Sequence, residues 1–226
     1  MATIQFPSPH VGGYIETMRR GHWLLLLTLL LLGGGWVWLR PGPRTSFVNF
    51  PPNARGDWVA FGDSLTQGYG ANEGGDYPSQ LAKRLRVKIR NLGVSGHTTA
   101  DGLARLDQAV QLQPRVVLLC LGGNDALRGV SPETTFANLG TMVDRLHQAG
   151  AFVVLLGVRG AGLSDKNARR FEQLAKSKRV LLVPNILDGI LFTPSLMADQ
   201  IHPNDSGYAK IAERLEAALL PLSQKL

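Results

Sequence analysis

Apolar and polar positions along the chain fall into alternating short blocks. Trp58–Phe61, Val87–Leu92, Val116–Leu121, Phe152–Leu156 and Val180–Val183 are apolar or half-apolar runs of strand length. Val116–Leu121 is apolar without interruption, as expected of a strand covered on both faces. The intervening segments follow a helical period. Tyr77–Arg86 places Leu81 and Leu85 one turn apart, and Thr99–Leu112 aligns Leu103, Leu106 and Val110 on one face. Ser131 and Pro132 supply the N-cap and first-turn residues of a helix that runs to about Ala149 and stops at Gly150. Asp165–Lys178 and Asp205–Leu220 complete the helices. Repeated strand–helix alternation predicts a parallel sheet with helices on both faces. Ligands of such sheets bind beyond the carboxyl ends of the strands.

The first fifty residues break this pattern. Gly21–Leu39 contains no Asp, Glu, Lys or Arg and centres on a leucine-rich run, with Trp23, Trp36 and Trp38 near its ends. Nineteen helical residues reach roughly 28 Å, close to the thickness of a bilayer core, and tryptophans favour the membrane interface. No Ala-x-Ala site and no cysteine follows the run, which argues against a cleaved secretory or lipoprotein signal. The expected organisation is an N-terminal tail (1–20), an uncleaved transmembrane anchor (21–39), a Pro-rich linker (40–54) and a domain (55–226). Arg19 and Arg20 precede the span and Arg40, Arg44 and Arg55 follow it, so orientation is weakly specified.

Composition narrows the function classes. The 226 residues are 44% hydrophobic and 18% charged, enough apolar content for a packed core. A single cysteine, Cys120, excludes an internal disulfide and a multi-cysteine zinc site; it sits in an apolar strand and reads as a small core residue. The net charge is +7, with 7% aromatic residues spread along the chain. Nucleic-acid binders concentrate basic charge beside stacking aromatics, so no nucleic-acid partner is expected. The densest basic stretch, Lys83 to Arg90, reads as a charged edge strand or, alternatively, as a patch facing anionic lipid headgroups.

Polar segments follow three of the strands: Gly62-Asp63-Ser64-Leu65-Thr66, then Asn91 to His97, then Gly122-Gly123-Asn124-Asp125. Another, Asp199-Gln200-Ile201-His202-Pro203, precedes the last helix. Each alone is a weak signal; together, at the ends where ligands bind, they are a strong one. No Gly-Lys-Ser/Thr phosphate loop accompanies the glycines at 68, 70, 74 and 75, and Gly-x-Ser-x-Gly is absent because Thr66 stands at the second glycine position.

These blocks resemble the SGNH (GDSL) hydrolases over roughly residues 57–220. The stretches Gly62–Gly70, Gly122–Gly129 and Asp199–Asn204 are most similar to the bacterial thioesterase/lysophospholipase/arylesterase branch, whose members are usually periplasmic. The resemblance implies a flavodoxin-like three-layer α/β/α sandwich with a five-stranded parallel sheet. It also implies a metal-independent serine hydrolase of carboxylic esters or thioesters, with no cofactor. Ser64 is the expected nucleophile and His202 the base that activates it. Asp199 is expected to orient the ring. The Ser64 N–H, the Gly93 N–H and the Asn124 amide are the expected oxyanion donors. Asp63, Thr66 and Asp125 are assigned supporting hydrogen bonds, and His97 lines a loop. His147 ends a helix and suits its dipole. Tyr69, Tyr77, Leu127, Val158, Ala161, Leu163 and Phe192 are candidate acyl-side wall residues.

The expected substrate is a small-molecule or lipid acyl ester met by a monomeric, extracytoplasmic domain tethered to a membrane through residues 21–39. Two other readings stand beside it: a carbohydrate O-acetylesterase acting on envelope polysaccharide, and a tethered scaffold without activity. The second is disfavoured because every expected catalytic position is filled.

Overall fold

Residue-by-residue alternation of side chains decides the layering of the sheet. The structure, a computed structural model, describes residues 46–158 and 165–226. The elements in chain order are β1 (Trp58–Gly62), α1 (Ser64–Gln67), α2 (Tyr77–Leu85), β2 (Ile89–Gly93), α3 (Thr99–Ala104) and α4 (Asp107–Val110). They continue with β3 (Val116–Cys120), α5 (Gly123–Leu127), α6 (Pro132–Gln148), β4 (Phe152–Leu156), α7 (Asp165–Lys178), β5 (Leu181–Val183) and α8 (Asp205–Leu219). All five strands are parallel, in the order β2-β1-β3-β4-β5, the flavodoxin-like order. Trp58 and Ala60 of β1, Leu118 and Cys120 of β3 and Phe152 and Val154 of β4 face one layer, against Tyr77 and Leu81 of α2 and Tyr208, Ile211 and Leu215 of α8. The residues between them, Val59, Phe61, Val117, Leu119, Val153 and Leu155, face the other layer. There they meet Leu106 and Ala109, Leu139, Met142, Val143 and Leu146 of α6, and Phe171 and Leu174 of α7. Period-two alternation across a sheet buried on both sides therefore builds two cores from one set of strands.

Three boundaries differ from the sequence reading. The strand expected at 87 begins at Ile89. Arg86 takes a left-handed backbone (φ +55°) as the C-cap of α2, and both Arg86 and Val87 return their N–H groups to Ala82 O. The helix expected over 99–112 is two short helices that break at Arg105 and Leu106, so Leu106 enters the core while Arg105 turns to the strand ends. The second half of the expected linker is part of the domain. Phe47 and Phe50 pack edge-on or tilted against Phe152 at the start of β4, with ring centroids 5.7 and 5.3 Å away. Val48 donates to Arg179 O, Asn49 Nδ2 to His147 O and Ala151 O, and Asn53 and Ala54 to Gly150 O. The compact unit accordingly begins at Ser46. The span expected at 21–39 lies outside the described residues; among the described residues no helix is long and apolar enough to cross a membrane.

Phe152 is fully buried and links the segment 46–54 to the sheet. Phe152→Ala is expected to destabilise the domain by about 3–5 kcal/mol, read as a lower urea midpoint at unchanged slope. A loss below about 1 kcal/mol would show that this ring does not carry the packing described.

Candidate active site

The carboxyl ends of β1, β2 and β3 converge with the Asp199–His202 turn. Ser64 is the first residue of α1, immediately after Asp63, whose carboxylate caps the helix by accepting the Leu65 N–H at 3.1 Å. Gly62 lets this turn close, since a Cβ there would lie 2.1 Å from Thr66 Oγ1 and 2.5 Å from Cys120 O. His202 Nε2 stands 3.0 Å from Ser64 Oγ and accepts its proton in the hydrogen bond; His202 Nδ1–H donates to Asp199 Oδ2 at 2.8 Å. The other Asp199 oxygen accepts the backbone N–H groups of Ile201 (2.8 Å) and His202 (2.7 Å). Partial burial opposes ionisation of Asp199, but these three donors outweigh it and hold the carboxyl below its usual range. The turn is hung from α8, because Asn204 caps that helix through the Ser206 and Gly207 N–H groups while its amide donates to Ser195 O. Tyr69 lies beside His202, with the two ring centroids 4.6 Å apart.

Asn124 lies in α5, where its amide nitrogen donates to His97 O at 3.0 Å, leaving a second N–H on the same nitrogen. The neighbouring Asp125 is buried and accepts from the Thr99 N–H, the Thr99 hydroxyl and the Thr135 hydroxyl, which pins this loop to α3 and α6. Thr66 Oγ1 pairs with Tyr77 OH at 3.0 Å beneath the site. The supporting roles expected of Thr66 and Asp125 thus match their bonding.

Gly93 does not fit its expected role. Its N–H donates to Asn91 Oδ1 at 2.9 Å, so the hydrogen is already taken. The glycine serves contact instead, since a Cβ would lie 2.1 Å from Gln67 N in α1. Further along the same loop Gly96 turns the chain at φ +79°, and its N–H meets no acceptor among the described residues. Of the expected wall residues, Tyr69 (53% exposed), Leu127 (64%) and Phe192 (78%) are open to solvent. Val158 and Tyr77 are buried, Tyr77 beneath the site through its bond to Thr66. Ala161 and Leu163 lie outside the described residues. Burial lowers the pKa of His147, which disfavours the charge that would suit the helix dipole, and its Nε2 has no hydrogen-bond partner among the described residues.

Arg105 went unmarked in the sequence because a lone arginine in a helical segment carries no motif. Its guanidinium stacks on Phe61, 4.1 Å from the ring centroid. It donates to Gly62 O at 2.7 Å, Leu92 O at 2.9 Å and His97 Nδ1 at 3.0 Å. One side chain therefore ties the strand ends that carry Ser64 and Gly93 to the residue whose carbonyl holds Asn124. His97 lines the loop as expected and takes the Nε2–H tautomer, because Nδ1 accepts.

Two outcomes follow. Arg105→Ala is expected to lower kcat on a soluble ester by about 10- to 10²-fold while the fold is retained. Arg105→Lys should restore little, since one ammonium cannot span three acceptors; full recovery with lysine would reduce Arg105 to a charge. Asp63 is 2% exposed, and burial pushes its pKa up to about 7. The folded protein then holds a proton that the unfolded chain releases above its ordinary value of 3.8. The stability from this group is full below that value and is lost as pH rises through about 7. Asp63→Asn should flatten this fall in a series of melts between pH 4 and 8; an unchanged slope would contradict it.

Comparison with known proteins identifies the family. Residues 60–210 match the model of the GDSL-like Lipase/Acylhydrolase family. An arylesterase of Vibrio mimicus is 35% identical over 167 residues, covering 69% of this chain and 84% of the relative. The thioesterase 1/protease 1/lysophospholipase L1 of Escherichia coli K12 is 32% identical over 194 residues, covering 82% and 93%. The crystal structure of TesA superposes with a TM-score of 0.68 at 32% identity, over 73% of this chain and 98% of that one. The chain belongs to the GDSL-like lipase/acylhydrolase family and is a serine ester hydrolase.

Proposed function

We propose that the chain is a membrane-anchored, extracytoplasmic esterase that cleaves carboxylic ester or thioester bonds through an acyl-enzyme on Ser64. The observation that supports this best is the unbroken hydrogen-bond chain from Ser64 Oγ through His202 to Asp199. His202 Nε2 takes the hydroxyl proton as Oγ attacks the acyl carbon, and Asp199 stabilises the imidazolium that forms. The proton then passes to the departing alcohol or thiol. Water, activated by the same base, releases the acid and regenerates the serine. The Ser64 N–H and the free Asn124 N–H are the proposed oxyanion donors, with the Gly96 N–H in the place expected of Gly93.

Exposed Tyr69, Val94, Phe192 and Ile201 stand on loops, and exposed Leu127 ends the short helix α5, all following the carboxyl ends of strands or the turn before α8. Solvent-exposed apolar side chains around the nucleophile favour an apolar acyl or aryl group over a sugar. Phe192 supports this further: it is bulky, exposed and held at φ +65°, a backbone state that large residues rarely adopt. The arylesterase and thioesterase relatives point the same way. The anchor rests on the uncharged run 21–39.

Hydrolysis of p-nitrophenyl esters from acetyl to palmitoyl, with Ser64→Ala as control, tests the reading. Activity should vanish in the variant and rise with chain length. Ser64-dependent activity confined to acetyl would move the assignment to an O-acetylesterase, and its absence on every ester would favour the scaffold. Asn124→Ala should lower kcat by roughly 10²–10³-fold with little change in KM; a change within a few-fold would remove Asn124 from the oxyanion site.

A further inference from the structure

The end of the sheet opposite Ser64 carries a set of cations that the hydrolytic chemistry does not use. Lys88 immediately precedes β2, Arg115 immediately precedes β3, and Arg179 lies two residues before β5. Arg55 stands three residues before β1. It lines one cleft with Arg115, where Gly56 and Pro114 bridge the two strands. Arg86 caps α2 on the same side, and Lys225 lies over the Phe50 ring. All six are exposed, and none pairs with a carboxylate among the described residues. Nearby acids are already neutralised: Asp57 by Arg90, Asp107 by Arg145 and Asp144 by Lys178. The carboxyl edge has the opposite character. It carries Asp199 and Asp205, and its Arg105 and Arg128 donate to backbone carbonyls. Charge is thus segregated along the strand direction.

We propose that the amino edge of the sheet is a docking surface for an anionic lipid bilayer. Docked in this way, the domain turns the Ser64 mouth toward water. Three observations choose this occupant. The cations span the width of the sheet, so they suit an extended anionic plane rather than one small anion. The chain enters the domain on this edge: Val48 bonds to Arg179 O, and Phe47 and Phe50 cover the start of β4. The residues before Ser46 include Arg40, Arg44 and the uncharged run 21–39. Finally, the exposed large apolar side chains, Leu220 apart, stand on the loops and the short helix α5 of the other edge, so the basic face lacks the stacking platform a nucleic acid would use. Polybasic surfaces attract anionic leaflets only within about a Debye length, roughly 10 Å at 0.1 M salt. A five-residue strand keeps the two edges about 17 Å apart, so contact at the amino edge leaves the mouth clear of the lipid plane. This proposal stands independently of the substrate reading.

The test uses the full chain reconstituted in vesicles that carry a spin-labelled lipid quencher. One fluorophore is placed at Gln148→Cys on the amino edge, another at Leu127→Cys on the carboxyl edge; Cys120 is buried and does not compete. The Gln148 label should be quenched in vesicles containing phosphatidylglycerol and not in pure phosphatidylcholine. High salt should reverse the effect, as should the triple variant Arg86→Glu, Lys88→Glu, Arg115→Glu. The Leu127 label should stay bright throughout. The triple variant should keep wild-type turnover of a soluble ester, which separates lost docking from lost folding. Equal quenching of both labels, quenching of Leu127 alone, indifference to phosphatidylglycerol, or preferential binding to duplex DNA would overturn the proposal.

Discussion

One hydrogen bond, between Ser64 Oγ and His202 Nε2, joins residues 138 positions apart and sets what the rest of the fold must supply. Its 3.0 Å length requires the end of β1 and the turn before α8 to be held together, although they lie on different elements. The Asp63 cap and the absent Cβ of Gly62 fix the serine. The Asn204 cap and the Asp199 carboxylate fix the imidazole. Buried Thr66 and Tyr77 fill the space beneath. A parallel sheet suits this task because it brings the carboxyl ends of all its strands to one edge, so residues distant in sequence share a mouth.

The loops that carry Asn124 and His97 are organised by a second set of contacts. Asn124 does not position itself: it leans on His97 O, His97 is gripped by Arg105, and Arg105 also holds the carbonyls of Gly62 and Leu92. Asp125 anchors the same loop from the opposite side through Thr99 and Thr135. Polar groups away from Ser64 thus set the geometry of Asn124. This buried polarity also makes stability depend on pH, because Asp63 is desolvated and lies beside Asp125, and the Leu65 N–H and Arg105 offset only part of the cost.

Much of this was legible in the sequence, for physical reasons. Continuous apolar runs at Val116–Cys120 and Phe152–Leu156 signal strands buried on both faces, and both are so buried. The blocks around Ser64, Asn124 and His202 were legible because their chemistry tolerates few residue types. What was not legible depends on tertiary contact. Gly93 reads as a donor until Asn91 is seen to accept its hydrogen. The break at Arg105 interrupts a sound amphipathic pattern, because the side chain has partners on three strand ends and loops. Phe47 and Phe50 sit in a Pro-rich stretch that resembles a linker, and only the ring of Phe152 makes them core. The cations at the amino edge come from five separate segments, so no local window of sequence gathers them.

The central claim is that Ser64 carries the acyl group. Incubation with an alkyl phosphonate p-nitrophenyl ester, followed by intact-mass measurement and peptide mapping, tests it most directly. The account predicts one phosphonyl adduct per chain, located on Ser64 and formed far more slowly in His202→Ala. An adduct on another residue, or unimpaired ester hydrolysis with Ser64 left unmodified, would contradict it.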